Sequence, residues 1–169
     1  MRKLTVMALL MVSLFRLEAQ TGTQAEQRKW AVDTARWIEQ HPLDKEVKGR
    51  AAELLKWWTE VPDLTLSVCP LLLETKNKKI APTVVTQALF AAGANLIEHP
   101  DATRQEQAVA AVQSALRAYA IAVAAEPRMR DAFLDGLAKA DAEGKLREVY
   151  VDGVIASCEA AERSKKQKS

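Results

Sequence analysis

Apolar residues recur along this chain at spacings of three and four, the period of an amphipathic helix, from about residue 25 almost to the end. Trp30, Thr34, Trp37 and Ile38 line one face of a predicted helix over about 25–40, and Pro42 sets its end because the residue before a proline avoids helical geometry. Val47, Ala51, Leu54, Leu55 and Trp58 do the same over about 44–59, with Asp44 as the expected cap and Pro62 as the stop. Pro82 suits the first turn of a third helix, where its missing N–H costs nothing. Val85, Leu89, Ala92 and Leu96 give that helix its stripe, up to the break at His99 and Pro100. The longest pattern runs from about Thr103 to Ala125 on Val109, Val112, Leu116, Tyr119 and Val123, while Gln105, Gln113 and Arg117 face away. Its many alanines make it thin, so neighbours can approach it from several sides. Pro127 opens a shorter helix to about Ala140, packed by Met129, Phe133 and Leu137. Gly144 separates it from a last one whose inward positions are predicted at Leu146, Tyr150, Val154 and Cys158.

Residues 61–81 carry the least regular pattern. Leu64, Leu66 and Val68 alternate as a strand would, but an isolated strand has nothing to pair with in a helical chain. A short helix begun at Asp63 and disturbed by Pro70 is the preferred reading, with an extended segment near 64–68 as the alternative. The polar run Glu74 to Lys79 reads as a surface loop. The 29 alanines against six glycines favour helices and leave few turn positions for a β fold. The expectation is an all-α single domain of about six helices, packed as helical hairpins over 20–162. A basic tail over 163–169 has no apolar residue and is expected to be disordered.

The first residues obey a different grammar. Arg2 and Lys3 precede Leu4 to Phe15, a run of 12 residues with ten apolar members, which is the pattern of a secretory signal. At that length it falls short of the roughly 20 residues that span a bilayer. Residues 1–19 are therefore expected to be removed on export, with the cut anywhere from 19 to 25, into a periplasmic or extracellular location. The mature form is expected to have no integral membrane span; an uncleaved segment holding the chain loosely at a membrane and a cytoplasmic chain with a merely apolar start are the competing readings. Loss of residues 1–19 takes three basic groups and one acidic group with it, so the formal charge falls from +2 to zero. A neutral chain argues against general nucleic-acid binding, which needs a basic surface. Cys69 and Cys158 show neither redox nor metal-ligand spacing, and export makes a structural disulfide between them the leading reading.

Candidate chemistry is sparse. The chain has no zinc-protease helix, phosphate loop, dinucleotide fingerprint or nucleophile elbow, and no cofactor is expected. Two helix ends echo one another, Ile38-Glu39-Gln40-His41-Pro42 and Leu96-Ile97-Glu98-His99-Pro100, so Glu39, His41, Glu98 and His99 can form a metal or acid–base site if those ends meet. The competing role for each histidine is to cap the last helical carbonyls. The adjacent Trp57 and Trp58 point about 100° apart on a helix. Trp58 belongs to the inward set, which leaves Trp57 at its edge, either packed under the 61–81 segment or, with Val61 and Leu64, a candidate surface for a protein partner or a small ligand. The chain thus reads as an exported, non-catalytic binding or structural module. An enzyme with an unfamiliar carboxylate or Glu/His site and a membrane-associated helical protein are the alternatives.

Overall fold

The computed structural model of the protein describes residues 24–66, 69 and 72–166. Residues 1–23, which include the predicted signal segment, residues 67, 68, 70 and 71, and residues 167–169 lie outside the described residues. Six α-helices occur among those described: α1 over 24–40, α2 Val47–Glu60, α3 Ala81–Glu98, α4 Arg104–Ala125, α5 Ala132–Ala142 and α6 Asp152–Lys166. No strand occurs among them, and the helices pack into one all-α domain.

Helices α3 and α4 form the central hairpin. The loop from His99 to Thr103 is too short to let the second helix go anywhere but back along the first. Thr103 starts α4 with a complete capping box: its hydroxyl accepts from the Glu106 N–H while the Glu106 carboxylate accepts from the Thr103 N–H. Ala88 and Ala92 of α3 and Ala111, Ala115 and Ala122 of α4 are buried in one cluster, so small side chains let the axes approach closely. Length and composition alone would let α4 cross a membrane, but in this fold its apolar positions are largely covered by neighbouring helices.

The apolar set is divided between two clusters. The larger joins α3 and α4 to Leu134 and Leu137 of α5, Ile155 and Cys158 of α6, and Cys69, Leu72 and Leu73 of the connecting segment. Cys69 and Cys158 are disulfide-bonded with Cα atoms 5.8 Å apart, the pairing expected from the sequence. The smaller cluster joins α1 and α2 to the other flank of α3 through Ala31, Ala35, Ile38, Leu54, Trp58 and Phe90.

Several expectations need correction. Residues 61–66 and 72–80 contain turns but no helix, so the helix predicted from Asp63 is absent from the described part of that segment. Residues 64–66 pair with no strand either, and the remainder of the predicted extended stretch lies outside the described residues. The segment is held by side chains instead: Leu66 packs against both clusters, and the Asn77 amide donates to the carbonyls of Arg130 and Met129. Pro127 begins only a single 3₁₀ turn, Pro127–Met129, because Asp131 supplies the stronger start. Its carboxylate accepts from the Phe133 and Leu134 N–H groups and caps α5. At the far end, α6 continues to Lys166 rather than yielding to a disordered tail at 163. Arg104 forks onto Glu162 and Arg163 pairs with Glu159, which pins the last turns.

The faces of three helices also differ from their sequence pattern. In α3 the buried set is Val84, Gln87, Ala88, Phe90, Ala91, Ala92, Gly93 and Ala94, so the predicted Ala92 is inward whereas Val85 is 50% exposed. In α2, Leu55 is 49% exposed, and in α1, Trp30 is 39% exposed while Ala31, Val32, Thr34, Ala35 and Ile38 face inward. Before α6 the register slips: Arg147–Val151 form a turn of π-helix in which the Asp152 N–H donates to the Arg147 carbonyl. The five-residue step replaces the predicted inward set at 146, 150, 154 and 158 with Leu146, Val151, Ile155 and Cys158. Tyr150 is turned aside to donate its hydroxyl to the Leu72 carbonyl at 2.9 Å.

Candidate functional site

The site grows from the turn between α1 and α2. With α1 stopped ahead of Pro42, the chain reverses through residues 41–46, where the Asp44 N–H donates to the His41 carbonyl and the Val47 N–H to the Asp44 carbonyl. The Asp44 carboxylate accepts the Glu46 N–H at 2.8 Å, so Asp44 organises this turn; the N-cap position of α2 is Glu46, which makes no side-chain cap. The turn lies against the start of α3 and encloses a cleft of about 450 Å³. Ile38, Pro42, Leu43, Val47, Ala51 and Pro82 give it apolar walls. Lys45, Lys48, Thr83 and Thr86 border it, and the buried Gln87 forms part of its lining.

Gln87 is also the hub of a polar network behind the cleft. It is 1% exposed, and its amide nitrogen donates to the Ala35 carbonyl at 3.2 Å and to the Ser114 hydroxyl at 2.8 Å. Ser114 in turn donates to Glu39, and Arg117 closes the chain by a two-pronged ion pair on the same carboxylate, at 2.6 and 3.0 Å. That carboxylate raises the Arg117 guanidinium further above its ordinary value, chiefly through the hydrogen bond. The network ties α1 to both α3 and α4, and of its own polar atoms the amide oxygen of Gln87 is left buried without a partner among the described residues. Of the buried polar residues, Thr34 lies on the face the sequence pattern predicts, whereas Gln87 and Ser114 are not singled out by it. Their signal was positional: Gln87 stands three residues after Val84 and Ser114 stands among inward alanines, but this shows only once the inward faces are known.

The four residues proposed for a metal or acid–base site are only partly brought together. Glu39 and Glu98 line one polar hollow of about 160 Å³, so the two echoing helix ends do meet. Each carboxylate is taken by an arginine, Glu39 by Arg117 and Glu98 by Arg36. The histidines do not line that hollow. His41 stacks on Trp37 with ring centroids 4.6 Å apart, and its Nδ1 lies 2.9 Å from the Trp37 carbonyl, the arrangement of a helix C-cap. His99 occupies the corresponding C-cap position of α3, with its backbone N–H on the Asn95 carbonyl. Among the described residues no three His, Cys, Asp or Glu side chains cluster as metal ligands. Two carboxyls with lowered values, Glu106 and Asp131, lie elsewhere. The Thr103 hydroxyl and N–H pull Glu106 down, while burial works against ionisation of Asp131 but is outweighed by Thr75 and the N–H groups it caps.

The tryptophan surface divides in two. Trp58 is buried at 7% exposure, against Phe90, with its ring over Gly93. Trp57 is half-buried: it meets Trp30 edge to face at 6.3 Å, and its indole N–H points to Gln27 at 3.5 Å. Trp57 and Val61 line a shared hollow of about 200 Å³, whereas Leu64 lines a separate small one beside Trp58 and Gly93. Set against known proteins, the chain matches no protein family, no characterised protein and no solved structure.

Proposed function

We propose that this chain is an exported, non-catalytic helical binding module and that the cleft between the α1–α2 turn and the start of α3 is its ligand site. The observation that carries the reading is the cleft itself, about 450 Å³ with apolar walls and a few polar groups at its border. That volume falls in the roughly 300–1,000 Å³ range of small-molecule sites, and so does the division between apolar wall and sparse polar groups. Export is supported by the leader pattern and by the Cys69–Cys158 disulfide, which persists in oxidising compartments. A non-catalytic role is supported by the engagement of the Glu39 and Glu98 carboxylates in ion pairs and of the lowered carboxyls in helix caps.

The test has two arms. Intact mass of the protein from its native cell should show loss of 19 to 25 residues in a fraction outside the cytoplasm. The neutral fluorophore N-phenyl-1-naphthylamine should bind saturably at one site, and Thr86→Trp, which fills the cleft, should abolish binding while helicity is kept. An intact Met1 in the cytosol overturns export, and probe binding indifferent to Thr86→Trp overturns the cleft. A second reading, a protein partner at Trp30, Trp57 and Val61, is favoured by the exposed indole of Trp30 beside Trp57.

A further inference from the structure

We infer that the ligand is a single-chain carboxylate, a medium-chain fatty acid whose tail lies along the apolar wall and whose head meets Lys45 and Lys48. The inference rests on the reading of the cleft as a ligand site and adds the chemistry of its occupant.

The polar groups around the cleft mostly offer positive charge and hydrogen-bond donors. Lys45 and Lys48 form no ion pair among the described residues, although most of the chain's arginines do. Asp44, the one acidic residue in the lining, already accepts the Glu46 N–H. Thr83 and Thr86 have hydroxyls with no hydrogen-bond partner among the described residues. Both stand near the start of α3, a helix of 18 residues with no acidic side chain in its first turn and no side-chain cap. Its positive end therefore adds to the field of the lysines.

Charge and size then narrow the occupant. Two lysines and one aspartate leave the lining with a single net positive charge, which one carboxylate neutralises. The wall of Ile38, Pro42, Leu43, Val47 and Ala51 buries methylene groups and offers them no hydrogen-bonding side chain. A cleft of about 450 Å³ suits one alkyl chain rather than the paired chains of a membrane lipid.

Calorimetric titration of the mature, oxidised protein with hexanoate, octanoate, decanoate and octan-1-ol at pH 7.5 tests this. Affinity should rise about fourfold per added methylene along the acids. Octanoate should bind about tenfold more tightly than octan-1-ol. The double variant Lys45→Glu/Lys48→Glu should lose that advantage and keep octan-1-ol binding, whereas Lys76→Glu/Lys78→Glu, an equal change of charge on the 74–79 loop, should bind as the parent does. Circular dichroism on each variant verifies that it is folded. Equal binding of octanoate and octan-1-ol, or equal losses in the two double variants, overturns the carboxylate and leaves the cleft standing as a neutral site. Binding of neither compound overturns both.

Discussion

The two apolar clusters hold this protein together in different ways. Around α4, α5 and α6 the cluster is built largely of alanine, valine and leucine, and the Cys69–Cys158 bond clamps the connecting segment to the last helix. Around α1 and α2 the cluster is smaller, rests on two large rings, Trp58 and Phe90, and joins the rest through α3 and the Gln87–Ser114–Glu39–Arg117 chain. The part held by a few large groups contains the apolar-walled cleft, the exposed Trp30 and the half-buried Trp57, whereas the hollow on the clamped side, beside Phe133 and Tyr150, is more polar-lined. Regions with fewer buried apolar contacts open at lower free energy, and binding surfaces are drawn from them.

The largest expected effect is on the lightly held side. Trp58→Ala should cost about 3–5 kcal/mol by the loss of a buried ring and the cavity it leaves. Amide exchange should accelerate in α1 and α2 well before α4, and an equal rise in both would break the comparison. On the clamped side, replacing Cys69 and Cys158 together by alanine should cost about 2–5 kcal/mol, mainly by freeing an unfolded chain closed over 89 residues. Chemical denaturation measures the loss, and exchange should rise over 72–80 and α6 rather than in α1.

Gly93→Ala sharpens the role of the ring, because a Cβ there would stand 2.1 Å from the Trp58 indole. Any gain in helix propensity is overridden, and a net loss of about 1–3 kcal/mol is expected in thermal melts. Asp131→Ala should cost about 1 kcal/mol as a lost N-cap on the clamped side. The sign of its pH dependence follows from the lowered folded carboxyl: the stabilisation is full above about pH 5 and disappears as pH falls through the folded value, below 3.8. Asp131→Asn should flatten the acid limb of the stability curve, and an unchanged limb would refute the assignment. The smallest effect is expected at Trp57, whose truncation removes mainly an edge-to-face pair worth about 1 kcal/mol. A loss at Trp57→Ala as large as at Trp58→Ala would make the whole tryptophan group one core and remove the surface reading.

Much of the helical layout was determined locally. Prolines 42, 62 and 100 end helices close to where the sequence placed those ends, and Pro82 stands in the first turn of α3 as its fixed backbone angle favours. The pairing of Cys69 with Cys158 was legible because there were only two cysteines to join. Which residues face inward was less so. Val84 and Val85 are chemically alike, and α3 is buried on two flanks, so its apolar period does not point in one direction. Hydrophobicity alone places Trp30 and Leu55 inward, but their chain neighbours Ala31 and Leu54 take the buried positions.

The site depended still more on tertiary structure. Glu39 and Glu98 stand in echoing helix ends, yet the arginines that neutralise them come from other helices, Arg36 on α1 and Arg117 on α4. The π turn before α6 moved the inward set by one residue through a hydrogen-bond slip that the residue types do not encode. Local rules decide where a helix starts and stops because the cap, the proline and the missing donor lie within a few residues of one another. The face it buries, the partner of each charge and the shape of a cleft are set by groups distant in sequence, so only the packed structure decided them.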